Sequence, residues 1–301
     1  QPLFVLDLDL LAGIDPGLRR PIDWVRRLWP RLLRLRALMV GCAAGEGHLD
    51  GNDEFAARSA EILAGTIVAQ ARRLGARLVV LKEFQRKYRR ALDPFAAHGF
   101  VRVPSMPMTR LSIDYADFDA YMRLALNSAT RRKLRKKFAA AAAARPIEMA
   151  VVVDIIPLID EVYPLYLQVY QRSRLHFEKL TKRYFCELSR RMPDKARFFI
   201  WRQEGKIVAF GECLVHGDTL YAEYLGLDYR VALDLHLYHY VYRDIIGWAI
   251  ANGYKWYQST GLNYDPKLHL RHRLEPIDLY VRGTSNVING LIKRLLPLLE
   301  P

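Results

Sequence analysis

Two carboxylates, three histidines, a tyrosine–lysine pair and a run of cations are the residues of this 301-residue chain whose types and spacing suit chemistry. Glu212 and Glu223 fall on neighbouring expected strands among apolar residues. Burial disfavours a charged carboxyl and lifts its pKa toward neutrality, where it can take a proton. Either acid could act as a general base on an amine, directly or through a water. Alternatively, both are strand-edge acids neutralised by nearby arginines. His236 and His239 stand three residues apart near the start of an expected long helix, close to one face. No third ligand stands at a metal-binding spacing, so no metal site is expected. Each is a base, a substrate contact or a hydrogen-bonded structural histidine, and the same alternatives hold for His176 in Ser173-Arg-Leu-His-Phe-Glu178. The hydroxyl of Tyr264 can donate a proton, and the ammonium of Lys267 suits a phosphate or a developing oxyanion. Lys255, Arg271 and Arg273 add positive charge around that pair. Asn127-Ser-Ala-Thr-Arg-Arg-Lys-Leu-Arg-Lys-Lys137 ends with six basic residues in seven. Arg131, Arg132 and Arg135 in this run suit an anion clamp for tRNA, lipid phosphate or cofactor phosphate, or else the run is a solvated helix face.

Most of these groups are positioned by the stretch Tyr221–Leu270. Tyr221 to Leu227 alternates and is rich in aromatics, as a strand is. Asp234 is a plausible N-cap of a helix running to about Ala251, and Asn252-Gly253 stops it. Tyr254 to Ser259 is a second strand, followed by a loop holding Tyr264 and Lys267. Strand, long helix, parallel strand is a crossover unit, and its splayed strand end beside a helix N-terminus suits anions and carbonyls. Before it, Ile147–Val153, helices over 155–172 and 181–192, and three antiparallel strands (197–203, 206–215, 219–227) are expected, with turns at Glu204-Gly205 and Gly217-Asp218. Leu274 to Arg282 closes the sheet, and 286–299 shows one apolar helical face that packs on the domain or on lipid.

The strand ending Glu223-Tyr224-Leu225-Gly226-Leu227-Asp228, the helix closing in Ala251-Asn252-Gly253 and the element Tyr264-x-x-Lys267 resemble the acyl-CoA N-acyltransferase (GNAT) superfamily. The resemblance is closer to its FemAB and BioF2-like branch, in which GNAT-like units come in tandem. It covers most of the chain and is weakest before residue 36. It implies an α/β fold with mixed sheets, a tandem GNAT-like acyl-CoA N-acyltransferase fold whose first lobe is incomplete. It also implies that Tyr264 and Lys267 face an acyl donor, together with Leu225, Gly226, Leu227 and Arg230. The superfamily's pyrophosphate loop is Gln/Arg-x-x-Gly-x-Gly/Ala, whereas Arg230-Val-Ala-Leu-Asp-Leu holds no glycine. Close backbone wrapping of a CoA pyrophosphate is therefore not expected. The implied activity is N-acyl transfer from a thioester, acyl-CoA or acyl carrier protein, to an amine, with Glu223, Glu212, His239 and Tyr264 as catalytic candidates and His176, His236 and the arginines on substrate. The amine includes that of a lipid at a membrane surface. No tightly bound cofactor is expected. Two alternatives stand beside it: a FemAB-like aminoacyltransferase using charged tRNA, and a catalytically silent module binding RNA or acidic lipid.

Ala71-Arg-Arg-Leu-Gly75 and Ala249-Ile-Ala-Asn-Gly253, each followed by a strand, suggest an internal repeat. In the first copy the expected order is a strand over 38–42, a Gly-rich loop over 43–52 that matches no phosphate-binding motif, a helix over 54–74 and a strand over 77–84. A helix over 88–97 and a long strand region over 99–113, broken by Pro104 and Pro107, follow. The expected division is a partial lobe over 1–126, a basic connector over 127–145, its helix capped by Ser128, and a complete lobe over 146–301. The chain is 51% hydrophobic with a net charge of +14. Such charge favours an anionic partner, including an acidic membrane surface. Ile22–Leu35, interrupted by Pro30, sets Trp24, Trp29 and Leu32 among arginines and suits either a membrane surface or a packed surface helix. Three scattered cysteines and the lack of a signal peptide or spanning apolar run suit a reducing compartment, the cytoplasm or the inner membrane face.

Overall fold

The computed structural model describes residues 2–9, 16–30, 32, 34–42, 45–49, 53–143, 146–173 and 179–295. In chain order the elements are β1 (Leu3–Asp9), α1 (Pro16–Arg26), β2 (Arg34–Val40), α2 (Asp53–Arg73), β3 (Leu78–Gln85), α3 (Asp93–Ala97), β4 (Val101–Pro104), β5 (Met108–Ser112), α4 (Phe118–Ala125), α5 (Ser128–Ala143), β6 (Ile147–Val152), α6 (Ile159–Arg172), α7 (Lys182–Arg191), β7 (Ala196–Gln203), β8 (Lys206–His216), β9 (Thr219–Leu227), α8 (Leu237–Ala251), β10 (Trp256–Ser259), α9 (Tyr264–His269), β11 (Arg273–Glu275), β12 (Ile277–Gly283) and α10 (Asn286–Leu295). They form two compact units, one of residues 1–107 with 275–301 and one of residues 108–274.

The first unit holds a five-stranded mixed sheet in the order β1-β2-β3-β12-β4. Helix α2 links the parallel strands β2 and β3 and buries Ala60, Ala64, Ile67 and Ala71 against Leu38, Val40, Val79 and Leu81. These alanines recur at helical spacing, which lets α2 lie close to the sheet. Ile288 and Ile292 of α10 pack with Ala37, Met39, Leu78 and Val80, whereas Val287 and Leu291 of the same helix are exposed. The Gly-rich loop is tied to β3 and the turn after it: Gln85 donates to Glu46, and the Tyr88 hydroxyl lies 2.5 Å from His48 Nδ1.

The second unit holds a seven-stranded sheet in the order β11-β5-β10-β9-β8-β7-β6. Helices α6 and α7 bury Val162, Leu165, Tyr166 and Phe185 against Phe198, Ile200 and Phe210. A second cluster buries α8 residues Val241, Ile245, Ile246 and Ala249 with Phe199, Trp201, Leu220 and Tyr257. Alternation along β7 and β8 sends successive side chains to opposite faces, which is why both faces are covered.

The repeat is visible in geometry. Gly75 (φ +68°) and Gly253 (φ +79°) both follow a helix end in the left-handed conformation. Ala76 N donates to Ala71 O at 2.9 Å and Gly75 N to Arg72 O at 3.0 Å; Tyr254 N donates to Ala249 O at 3.0 Å and Gly253 N to Ile250 O at 3.0 Å. These are two Schellman caps, each feeding a strand that runs parallel to the one before the helix.

Several expectations are corrected. The region over 99–113 is two strands, β4 in the first sheet and β5 in the second, antiparallel to β10. Strand β12 does not close the second sheet but runs between β3 and β4 in the first. The contact boundary accordingly falls at residues 107 and 274, not at 126 and 146. Asn127 rather than Ser128 caps α5, accepting from Thr130 N at 2.8 Å. Helix α8 starts at Leu237, with His236 rather than Asp234 before it, at φ +48° and with no side-chain cap. The expected helix over 88–97 is confined to a short turn and α3, because Pro94 is tolerated only in a first turn.

Candidate functional site

Strands β8 and β9 bring the two acid candidates together and carry Leu225, Gly226 and Leu227. The pairing of β9 with parallel β10 ends at Ala222↔Ser259, and β9 then runs on for Glu223–Leu227 beyond the last pair. On the other side, β8 pairs Glu212 with Tyr224 and Cys213 with Ala222, leaving Glu223 as the extra residue of a β-bulge. A bulge re-aims side chains, and here it sits where the parallel strands part.

Glu212 and Glu223 are brought together but not into equal surroundings. Glu212 is 0% exposed, and neither carboxyl oxygen has a partner among the described residues. Burial first, then the charge of Glu223, raises its pKa well above the carboxylate range. Cys213 beside it is also fully buried, and its thiol pKa is raised by burial and by both acids. Glu223 is half-buried. Leu225 is half-buried, whereas Gly226 and Leu227 are buried. A Cβ on Gly226 would lie 2.3 Å from the Phe210 ring and 2.7 Å from Tyr166 N, so glycine lets α6 close over β9.

Lys267 and Tyr264 lie on α9. Lys267 is 6% exposed, donates to Thr260 O at 2.6 Å, and has its pKa lowered to about 8 by burial. Tyr264 is half-buried, and burial raises its pKa, which keeps the phenol protonated. A set of groups that the sequence reading missed is linked through His272, whose backbone N donates to Lys267 O at 3.0 Å. His272 is buried, with its pKa lowered to about 3 by burial and by Lys267, and its Nε2 lies 3.0 Å from the Tyr242 hydroxyl. The Tyr121 hydroxyl donates to Leu270 O at 2.7 Å and lies 3.5 Å from that of Tyr242. Tyr257 packs edge-on against both Tyr242 and His272, and burial keeps its phenol protonated. Their one sequence signal was an excess of tyrosines and histidines in an otherwise apolar stretch.

The remaining candidates sit elsewhere in this unit. His239 on α8 accepts from Lys137 Nζ at 2.9 Å, and its pKa falls to about 4 through burial, then the charges of Lys137 and His236. It stays neutral and joins α5 to α8. His236 is half-buried at the start of α8. Arg131 donates to the carbonyls of Arg123 (3.1 Å) and Leu126 (2.6 Å), closing the end of α4. Arg132 and Arg135 are exposed. Arg135 lines a cleft of about 690 Å³ with Phe118, Phe138, Arg243, Asp244 and Trp248. Arg230 is exposed and pairs with Asp228 at 2.6 Å. His176 lies outside the described residues. Among the described residues no group of histidine, cysteine and acids could hold a metal ion.

The loop from Asp228 to His236 is wound on itself. Val231 N and Ala232 N donate to Asp228 O, Leu235 N to Val231 O, His236 N to Leu233 O and Leu237 N to Ala232 O. These five amides are used within the loop itself.

The FemAB-like family, described as peptidoglycan biosynthesis/recognition, matches residues 50–269. The chain belongs to the FemAB-like family. This FemAB-like chain is similar in fold to a C-terminal DUF2156 domain from Agrobacterium fabrum, of a protein described as a lysylphosphatidylglycerol synthetase, at 15% identity and a TM-score of 0.56, covering 86% of this chain and 80% of that one. It is similar to L-PGS from Bacillus licheniformis at 14% identity and a TM-score of 0.56, covering 87% and 82%, and to FemX at 12% identity and a TM-score of 0.55, covering 81% and 80%. A search of curated protein sequences found no match. Among the described residues of this FemAB-like protein, no helix is long and apolar enough to cross a membrane.

Proposed function

We propose that this FemAB-like protein transfers an acyl or aminoacyl group to an amine, with the reacting centre where β9 and β10 part. The observation that carries this reading is the bulged Glu223 at the first position beyond the last β9–β10 pair, backed by the fully buried Glu212. Family membership and the fold likeness to FemX and to lysylphosphatidylglycerol synthetase domains support it.

In this reading the acceptor amine attacks the donor carbonyl carbon, and Glu223 takes the amine proton directly or through one water. Glu212 is too buried to touch substrate; its protonated carboxyl leaves the local negative charge on Glu223. Lys267 has three N–H donors, of which Thr260 O takes one. The others suit the oxyanion or a phosphate of the donor. Tyr264 supplies the leaving group with a proton.

The amides of Val231, Ala232, Leu235, His236 and Leu237, already used within the loop, together with its lack of glycine, favour a donor held by side chains rather than by a pyrophosphate cradle. An acyl carrier protein thioester fits better than free acyl-CoA. Aminoacyl-tRNA is the second reading, favoured by the exposed Arg132, Lys133, Arg135 and Lys136 on α5.

The deciding experiment incubates the purified protein with acyl-CoA, acyl carrier protein thioester and charged tRNA in parallel, each with a panel of amines including amino-lipids. Mass spectrometry identifies any amide formed. Product from the wild type and at least about a hundredfold less from Glu223→Gln is the expected result. Equal product from both proteins would remove Glu223 from the chemistry.

A further inference from the structure

The first unit carries a surface that the transfer chemistry does not use. On α1 and the turn after it, Trp24 is 63% exposed, Leu28 81% and Trp29 66%. Large apolar side chains exposed side by side mark an interaction surface. They are held in place. Arg26, 9% exposed, grips both oxygens of Asp9 at 2.7 Å and donates from Nε to Leu32 O at 2.9 Å. Backbone bonds from Leu28 N and Trp29 N to Val25 O, and from Leu32 N to Trp29 O, continue the turn. Because Arg26 is locked onto β1, the opposite helix face points outward. Arg20, Trp24 and Arg27, at i, i+4 and i+7, share that face, and both arginines are exposed.

We infer that this face docks the protein onto an anionic lipid bilayer. Three features select that partner. Arg20 and Arg27 are exposed on this face and Asp23 is the one acid between Pro16 and Leu32, so the surface complements negative charge. Phosphates alone would reward the arginines but not two tryptophans and a leucine, which need an apolar medium beside the charge. Tryptophan is the side chain favoured at the headgroup level, with its ring in the acyl boundary and its N–H in the polar layer. A second copy of this chain meeting the same patch would bring Arg20 and Arg27 against their own counterparts, and like charges would oppose that interface. Docking through α1 does not depend on the transfer reading, because its readout is binding alone.

Co-sedimentation of the full chain with vesicles tests this. The wild type should bind phosphatidylcholine vesicles containing phosphatidylglycerol about tenfold or more tightly than pure phosphatidylcholine vesicles. Trp24→Ser/Leu28→Ser/Trp29→Ser should lose about tenfold or more of the binding to the anionic vesicles. Arg20→Glu/Arg27→Glu should lose a similar factor. Ile62→Ser, a control at another exposed apolar residue, should bind like the wild type. All variants change exposed side chains, and unchanged thermal melts verify the fold. Wild-type-like binding by the triple variant overturns the inference, as does failure of the wild type to bind. A wild-type dimer in light scattering that the triple variant converts to monomer, with no vesicle binding by either, assigns the patch to a second copy instead.

Discussion

Glu212 and Glu223 are neighbours across one strand pair, yet their surroundings separate their chemistry. Glu212 has no exposure and no partner among the described residues, so its proton is retained and its pKa is raised. An acid whose folded pKa is raised binds more protons folded than unfolded. Its stabilising contribution is complete below the unfolded carboxyl value and is lost as pH rises toward the folded one. Glu212→Gln removes that titration, so the variant should gain on the wild type in thermal melts from pH 5 to pH 9, at up to about 1.4 kcal/mol per pH unit. A difference in melting temperature that stays flat with pH would mean that Glu212 is charged in the fold. Lys267 gives a second prediction. Its amine pKa of about 8 makes loss of its charge part of the functional pH range. Lys267→Met should weaken donor binding about tenfold while the melt is retained, because a buried methionine keeps the packing and removes the donors. Unchanged donor affinity would assign Lys267 to the fold. At this scale the sequence showed the two acids and Lys267, whose spacing along strands and in Tyr264-x-x-Lys267 is local information. It did not show Tyr242, Tyr257 or His272, since a tyrosine that bonds a histidine looks like a core aromatic until the partner is placed. Nor did it show that Arg131 is used by backbone carbonyls at the end of α4.

Two crossover units are the elements on which the molecule is built, β2-α2-β3 and β9-α8-β10, each with a glycine closing its helix. In the second, the sheet must admit α6 on one face and α8 on the other while its strands part at Glu223. Gly226 makes the first of these possible. Gly226→Ala would push a methyl into the Phe210 ring and the backbone of Tyr166, and backbone cannot swing aside. The variant should lose about 1–3 kcal/mol in denaturant unfolding, the usual cost of overpacking. If it unfolds like the wild type, α6 does not press on β9 as described. Strands β7, β8 and β9 were legible nearly to the residue because alternation and the hairpin turns are both local. What alternation lacks is the identity of a strand's partner. Residues 99–113 read as one broken strand, but Pro104 and Pro107 separate two that join different sheets, and β12 leaves the second sheet for the first. Such choices are made by long-range pairing, which no window of sequence contains.

Over the whole molecule, the +14 charge is spread unevenly in its availability. Of the cations in the 131–137 run, Arg131 serves carbonyls and Lys137 serves His239, while Arg132, Lys133, Arg135 and Lys136 are exposed. Exposed cations on one helix can neutralise several phosphates at once, and each phosphate contact releases counterions. Binding of tRNA through α5 should therefore fall steeply as salt rises. Arg132→Glu/Arg135→Glu should flatten the dependence of log affinity on log salt by roughly 1.5–2, as loss of two phosphate contacts implies. Reversal of two scattered lysines, Lys179 and Lys195, should change it much less. The same α5 variant should bind anionic vesicles like the wild type if lipid is met through α1, so the two surfaces separate in one pair of titrations. Loss of tRNA binding with vesicle binding intact moves the aminoacyl-tRNA reading ahead of the carrier-protein thioester. Equal, small effects from both lysine and arginine pairs would mean that the α5 cations only solvate a helix, and the donor would then have to be held by Lys267 and its neighbours alone.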